Sequence, residues 1–118
     1  MDSVTITRSL AMNKPAGGAI VVVRGENIGK IVRIQPDTEI FLGRDSNVCD
    51  LYFQGNKISR KHCGIIYHAK ENVYSIQDYS ANGTFWPDGN RLNSQSPNWI
   101  TPGTEIWLAT KKDAIRLG

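Results

Sequence analysis

From Ala19 onward the chain is a succession of short β-branched and aromatic runs broken by turn residues. No stretch of about 11 residues carries the apolar spacing of a helix. Residues 20–23, 31–34, 39–42, 51–53, 62–67, 73–77, 84–86, 106–108 and 114–117 read as strands. Within them Cys63, Ile65 and Tyr67 alternate with Gly64 and Ile66, and Tyr74 and Ile76 share a face. Gly25-Glu26-Asn27 and Pro87-Asp88-Gly89 read as turns. The pattern predicts an all-β fold, a two-sheet antiparallel β-sandwich of about 10–11 short strands with binding loops at one end.

At 118 residues the chain fits one domain and can close a two-layer core without disulfide staples. Residues 1–18 hold Ser, Thr, Asn, Lys, Pro and the pair Gly17-Gly18, and are expected to form a flexible leader or linker before a domain at 19–118. The leader has no apolar signal core, and no apolar run approaches the ~18 residues of a membrane span. Cytoplasmic localisation without membrane insertion is the expectation.

The net charge of +3 suits an anionic partner. The basic residues are scattered, whereas a nucleic-acid surface concentrates them, so no nucleic acid partner is expected. Cys49 and Cys63 are too few for a disulfide framework or a zinc site, and each lies among apolar residues, which predicts buried free thiols. His62 and His68 would stand about 20 Å apart along a strand with no third ligand at suitable spacing. Neither a metal nor a cofactor is expected. For most of Trp86, Trp99 and Trp107, core or edge packing is favoured over a sugar-stacking platform.

Three segments at strand ends carry the chemistry: Phe41-Leu42-Gly43-Arg44, Ile58-Ser59-Arg60-Lys61-His62 and Asp78-Tyr79-Ser80-Ala81-Asn82-Gly83-Thr84. Loops at one end of a sandwich can bring such segments together. Arg44, Lys57, Arg60 and Lys61 supply cations, Ser59 and Ser80 hydroxyls, and Asn82 both donates and accepts. Gly43 and Gly83 permit tight turns and close backbone approach. A phosphate monoester, with a charge of about −1.5 to −2 and three acceptor oxygens, suits this set, and Asn82 is equipped to read a peptide amide beside it. Asp78, His62 and Ser59 or Ser80 can be drawn as a nucleophile, base and orienter. None of the local signatures of such enzymes surrounds them, and no enzyme is expected.

In order and spacing, Gly43-Arg44, Ser59-Arg60-Lys61-His62 and Asn82-Gly83 resemble the Gly-Arg, Ser-x-x-His and Asn-Gly pattern of the forkhead-associated (FHA) domain family. Pro102-Gly103-Thr104-Glu105-Ile106 is similar to the family's late turn into a strand, and the resemblance covers about residues 19–118. It implies a phosphothreonine-dependent interaction module in Ser/Thr kinase signalling. The implied partner is a phosphothreonine-containing protein or peptide, with a Ser/Thr kinase upstream. By the same resemblance Arg44 contacts phosphate and nearby peptide backbone, Ser59 binds a phosphate oxygen, and Arg60 contacts phosphate. Asn82 bonds the peptide main chain, and Lys57 influences which residue is read three places after the phosphothreonine. His62, with Gly43 and Gly83, supports the binding loops.

Ala81 departs from the pattern, because the family often carries Thr or Ser there. The contact from that hydroxyl is lost, and Ser80 is expected to point elsewhere. Weaker binding follows, and a degenerate scaffold that binds partners independently of phosphate is the alternative. The leader is expected to be an inert linker; the alternative is that Thr5 or Thr7, once phosphorylated, folds back and blocks the site.

Overall fold

Side chains alternate in and out along the first strand, β1 (Gly18–Arg24): Ile20 and Val22 are buried, while Val21 and Val23 face outward. This computed structural model describes residues 17–118. The expected leader, with Thr5 and Thr7, lies almost wholly outside the described residues. After β1 come β2 (Ile31–Ile34), β3 (Ile40–Gly43), β4 (Leu51–Tyr52), β5 (Cys63–His68) and β6 (Val73–Asp78). The remaining strands are β7 (Thr84–Phe85), β8 (Asn98–Ile100), β9 (Glu105–Leu108) and β10 (Thr110–Leu117).

The strands form two five-stranded sheets, ordered β2-β1-β10-β9-β7 and β4-β3-β5-β6-β8. Their inner faces meet in one core that contains Ile20, Leu42, Ile65, Ile76, Ile106 and Ile115, each essentially inaccessible to solvent. The Tyr74 hydroxyl crosses from one sheet to the other: it accepts the Ala19 amide at 3.0 Å and donates to the Ala19 carbonyl at 3.3 Å. A buried phenol is thereby satisfied without water.

The expected β-sandwich is present, with four differences. Pairing is antiparallel except between β3 and β4, which run parallel with Leu42 opposite Leu51. Strand β8 has no counterpart in the sequence reading. It is only three residues long and follows a polar loop, and its Asn98 amide ties that loop down by donating to the carbonyls of Asn93 and Ile76. The last strand begins at Thr110, ahead of the expected Ala114, because an irregularity between Thr110 and Ala114 hides its alternation. Finally, Cys63 is a buried free thiol on β5, but Cys49 is only half-buried and lies in the loop between β3 and β4. There its Sγ–H meets the Arg60 carbonyl at 3.0 Å.

Trp86 and Trp107 are half-buried. Trp99, on edge strand β8, remains 62% exposed and stacks against His68 at 4.8 Å between ring centroids.

Candidate functional site

Strands β3, β5 and β6 all present their chemistry-bearing ends at one end of the sandwich. Leu42 pairs with Cys63, and Cys63 with Asp78. The loops that leave these positions therefore emerge side by side, bringing Arg44, Ser59 and Asn82 into one neighbourhood.

Gly43 makes the first junction possible. A Cβ at this position would lie 2.1 Å from the Arg60 carbonyl oxygen and 2.9 Å from the Cys49 sulfur. Without one, the two chains close up: the Arg44 amide donates to the Ser59 carbonyl at 2.9 Å and the Asp45 amide to the Arg60 carbonyl at 3.2 Å. The Arg44 side chain is exposed, with one guanidinium nitrogen 3.4 Å from the Asn56 carbonyl.

Ile58, buried at the root of the next segment, anchors it in the core, and Ser59 follows, half-buried. The Ser59 hydroxyl oxygen accepts the Ala81 amide at 3.0 Å. Its own proton is left to donate outward. The Asn82 side-chain amide donates to the Lys57 carbonyl at 2.8 Å, a second bridge between the same two loops. Arg60, Lys57, Ala81 and Asn82 are all exposed.

Below this surface sits His62, with no solvent exposure. Its Nδ1 accepts the Ser59 amide at 3.1 Å, which leaves Nε2–H to donate to the Gly83 carbonyl at 2.9 Å. One neutral imidazole thus joins the Ser59 loop to the Asn82-Gly83 turn. Burial pushes its pKa below the ordinary 6.5, only partly offset by the Gly83 carbonyl. The imidazole has no nitrogen left to act as a base toward the Ser59 hydroxyl, so the triad drawn from the sequence does not assemble.

Asp78 is the functional residue the sequence reading undervalued. Its carboxylate is buried at the end of β6 and accepts four groups: the Ser80 amide at 2.9 Å, the Ser80 hydroxyl at 2.6 Å, the Thr84 hydroxyl at 3.1 Å and Arg91 at 3.4 Å. Ser80 in turn accepts the Gly83 amide at 2.8 Å. The Ser80 hydroxyl is therefore consumed inside its own loop and points away from the Arg44 and Ser59 surface. Arg91 donates also to the Ser80 carbonyl at 3.3 Å, clamping the loop from outside. Gly83 completes the turn at φ +100°, a left-handed conformation that a side chain would strain.

Arg44, Ser59, Arg60, Asn82 and Lys57 thus lie on or beside two bridged loops, and Gly43, His62 and Gly83 hold those loops together. The arrangement offers hydrogen-bond donors, cations and a preset backbone to an anionic extended ligand. Among the described residues, no group of His, Cys, Asp and Glu has the geometry to hold a metal ion.

A family model for the FHA domain matches residues 40–109. No curated protein matches the chain. Among solved structures, the FHA domain of an Arabidopsis thaliana hypothetical protein superposes with a TM-score of 0.75 at 25% identity, covering 87% of this chain and 85% of that one. The FHA domain of CT664 from Chlamydia trachomatis gives 0.73 at 22% identity, covering 86% and 95%. The N-terminal FHA domain of Rad53p from S. cerevisiae, solved with a phosphothreonine peptide, gives 0.66 at 20% identity, covering 86% and 90%. With the family model spanning more than half its length and its strands in a matching sandwich, the chain belongs to the FHA domain family, whose members are interaction modules rather than enzymes.

Proposed function

We propose that this domain recognises a phosphothreonine in a partner protein, downstream of a Ser/Thr kinase in the cytoplasm. The observation that carries it is the Ser59 hydroxyl. Its oxygen accepts the Ala81 amide, which leaves its own proton to donate to a ligand, and the exposed Arg44 and Arg60 lie on the segments joined at Ser59. Arg44 and Arg60 supply charge to the phosphate, and Arg44 also reaches nearby peptide backbone. Asn82, already beside the Lys57 carbonyl, exchanges that bond for one to the peptide main chain. Lys57 tunes the residue read three places after the phosphothreonine. The phosphothreonine peptide in the Rad53p structure supports this choice of ligand.

Ala81 favours one second reading, a scaffold that binds partners without phosphate. Calorimetric titration separates the two, using matched peptides carrying phosphothreonine, phosphoserine or unmodified threonine. The first reading expects binding of the phosphothreonine form alone and a loss of roughly 10- to 100-fold in Arg44→Ala, the value of a charge-assisted hydrogen bond. Equal affinity for the unmodified peptide sinks it.

A further inference from the structure

Beside the proposed phosphate site lies an open concavity of about 440 Å³, lined by Phe41, Asp45, Val48, Arg60 and Lys61. Asp45 and Val48 of the β3–β4 loop contribute to it, and Lys57 is not among its lining residues. Its lining combines Phe41 and Val48 with three charged side chains. The Lys61 ammonium rests 4.8 Å from the ring centroids of both Phe41 and Tyr79, a cation shared by two aromatic faces. Tyr79 is itself held by a 3.0 Å hydrogen bond to Glu39.

Val48 forms the opposite wall. Its side chain is 51% exposed, yet its backbone is pinned: the Asp45 carbonyl accepts the amides of Val48 at 3.1 Å and Cys49 at 3.0 Å. The Arg60 carbonyl then latches the whole loop through the Asp45 amide and the Cys49 thiol. The one carboxylate in the lining, Asp45, is engaged by the Asn47 amide at 2.9 Å. Arg60 and Lys61 lie in the same lining as that carboxylate, and the exposed Val48 side chain shares the space with Phe41, whose ring carries the Lys61 ammonium.

Arg60 belongs to both places. It lines the concavity, and it follows Ser59 in the proposed phosphate site. Through this shared residue the concavity adjoins the proposed phosphate site, within reach of a side chain of a peptide bound there. We infer that the concavity is a second specificity pocket, taking a bulky uncharged apolar side chain of the same phosphopeptide. This rests on the phosphothreonine reading above.

The test uses phosphothreonine peptides with alanine at every flanking position, and with a single leucine moved from one position to the next. Each is titrated into the wild-type domain, Val48→Ser and Lys57→Ala. One leucine position is expected to raise wild-type affinity roughly five- to tenfold over the alanine peptide, as partial burial of such a side chain allows. Val48→Ser removes that gain and leaves the alanine peptide's affinity unchanged, while Lys57→Ala keeps the gain. If the alanine peptide binds but no leucine position helps, or if the gain survives Val48→Ser, the pocket is overturned and the phosphothreonine reading stands. If no phosphothreonine peptide binds at all, both fall.

Discussion

Ser59 and Ala81 are 22 residues apart in sequence and meet across two neighbouring loops, the Ala81 amide donating to the Ser59 hydroxyl oxygen at 3.0 Å. The contact uses the backbone of Ala81 and not its side chain. It therefore survives the absence of a hydroxyl at this position, and Ser59 is oriented all the same.

Ala81→Thr should accordingly strengthen phosphopeptide binding without altering the loop. One neutral hydrogen bond is worth about 0.5–1.5 kcal/mol, which translates to roughly a 2- to 10-fold lower Kd by calorimetry. Because Ala81 is exposed, the free energy of unfolding should stay within about 0.5 kcal/mol of wild type. An unchanged Kd would mean that the new hydroxyl does not reach the ligand.

The buried imidazole of His62 makes stability depend on pH. Its folded pKa lies below the unfolded value of 6.5, so under mild acid the unfolded chain binds a proton that the folded protein does not. The contribution is fully present above pH 6.5 and is lost as pH falls from there through the folded pKa. Asp113 works the other way at lower pH, since burial raises its pKa from 3.8 and protonation favours the folded state. Urea unfolding of wild type and His62→Gln, compared across pH 7.5 to 5 (roughly the span of interest), cancels the Asp113 contribution. The stability difference between them should shrink as pH falls; a constant difference would show that His62 takes up its proton equally in the folded and unfolded states, so that its pKa is not depressed by folding.

Removing the buried carboxylate in Asp78→Ala strips an acceptor from Ser80, Thr84 and Arg91 at once. The expected cost is about 3–5 kcal/mol in urea unfolding, the scale for breaking a buried, charge-paired network. Peptide affinity should fall with it, because the same network sets the turn that carries Asn82. Arg44→Ala provides the contrast, lowering affinity while leaving the unfolding midpoint nearly unchanged.

Gly43→Ala tests close packing instead of turn geometry. The added methyl meets a backbone carbonyl that cannot rotate away, and overpacking of this kind costs about 1–3 kcal/mol. Its signature is loss of stability together with affinity, read by the same two measurements. A variant as stable as wild type would mean that the Ser59-Arg60 segment moves aside freely.

Much of this was legible before any coordinates. The alternation of Cys63, Ile65 and Tyr67 is a local signal, and so is a glycine before an arginine, so β5 and the Gly43-Arg44 junction could be read directly. Asp78 could not. It looks like an ordinary polar residue closing a strand, and its burial is intelligible only once Ser80, Thr84 and Arg91 are seen to converge on it. Arg91 lies beyond a turn and is brought back by the Phe85–Arg91 bridge, a pairing that no spacing rule announces. The parallel β3–β4 contact was hidden similarly, since two residues of strand carry too little pattern to reveal their direction. Cys49 was misplaced because its apolar neighbours Val48 and Leu51 imitate a strand, whereas Val48 is exposed and the segment turns.

At the other end of the sandwich, β1 and β10 lie side by side and antiparallel, with Ile20 opposite Leu117 and the Gly118 amide bonded to the Ala19 carbonyl at 2.7 Å. Tension applied between Gly18 and Gly118 would therefore open this seam like a zip, one rung after another, instead of shearing all its hydrogen bonds together. A pull between a bound peptide and either of these residues takes a different path, through the length of the sandwich. The same domain is thus mechanically soft between Gly18 and Gly118 and stiffer along the line that joins them to the ligand.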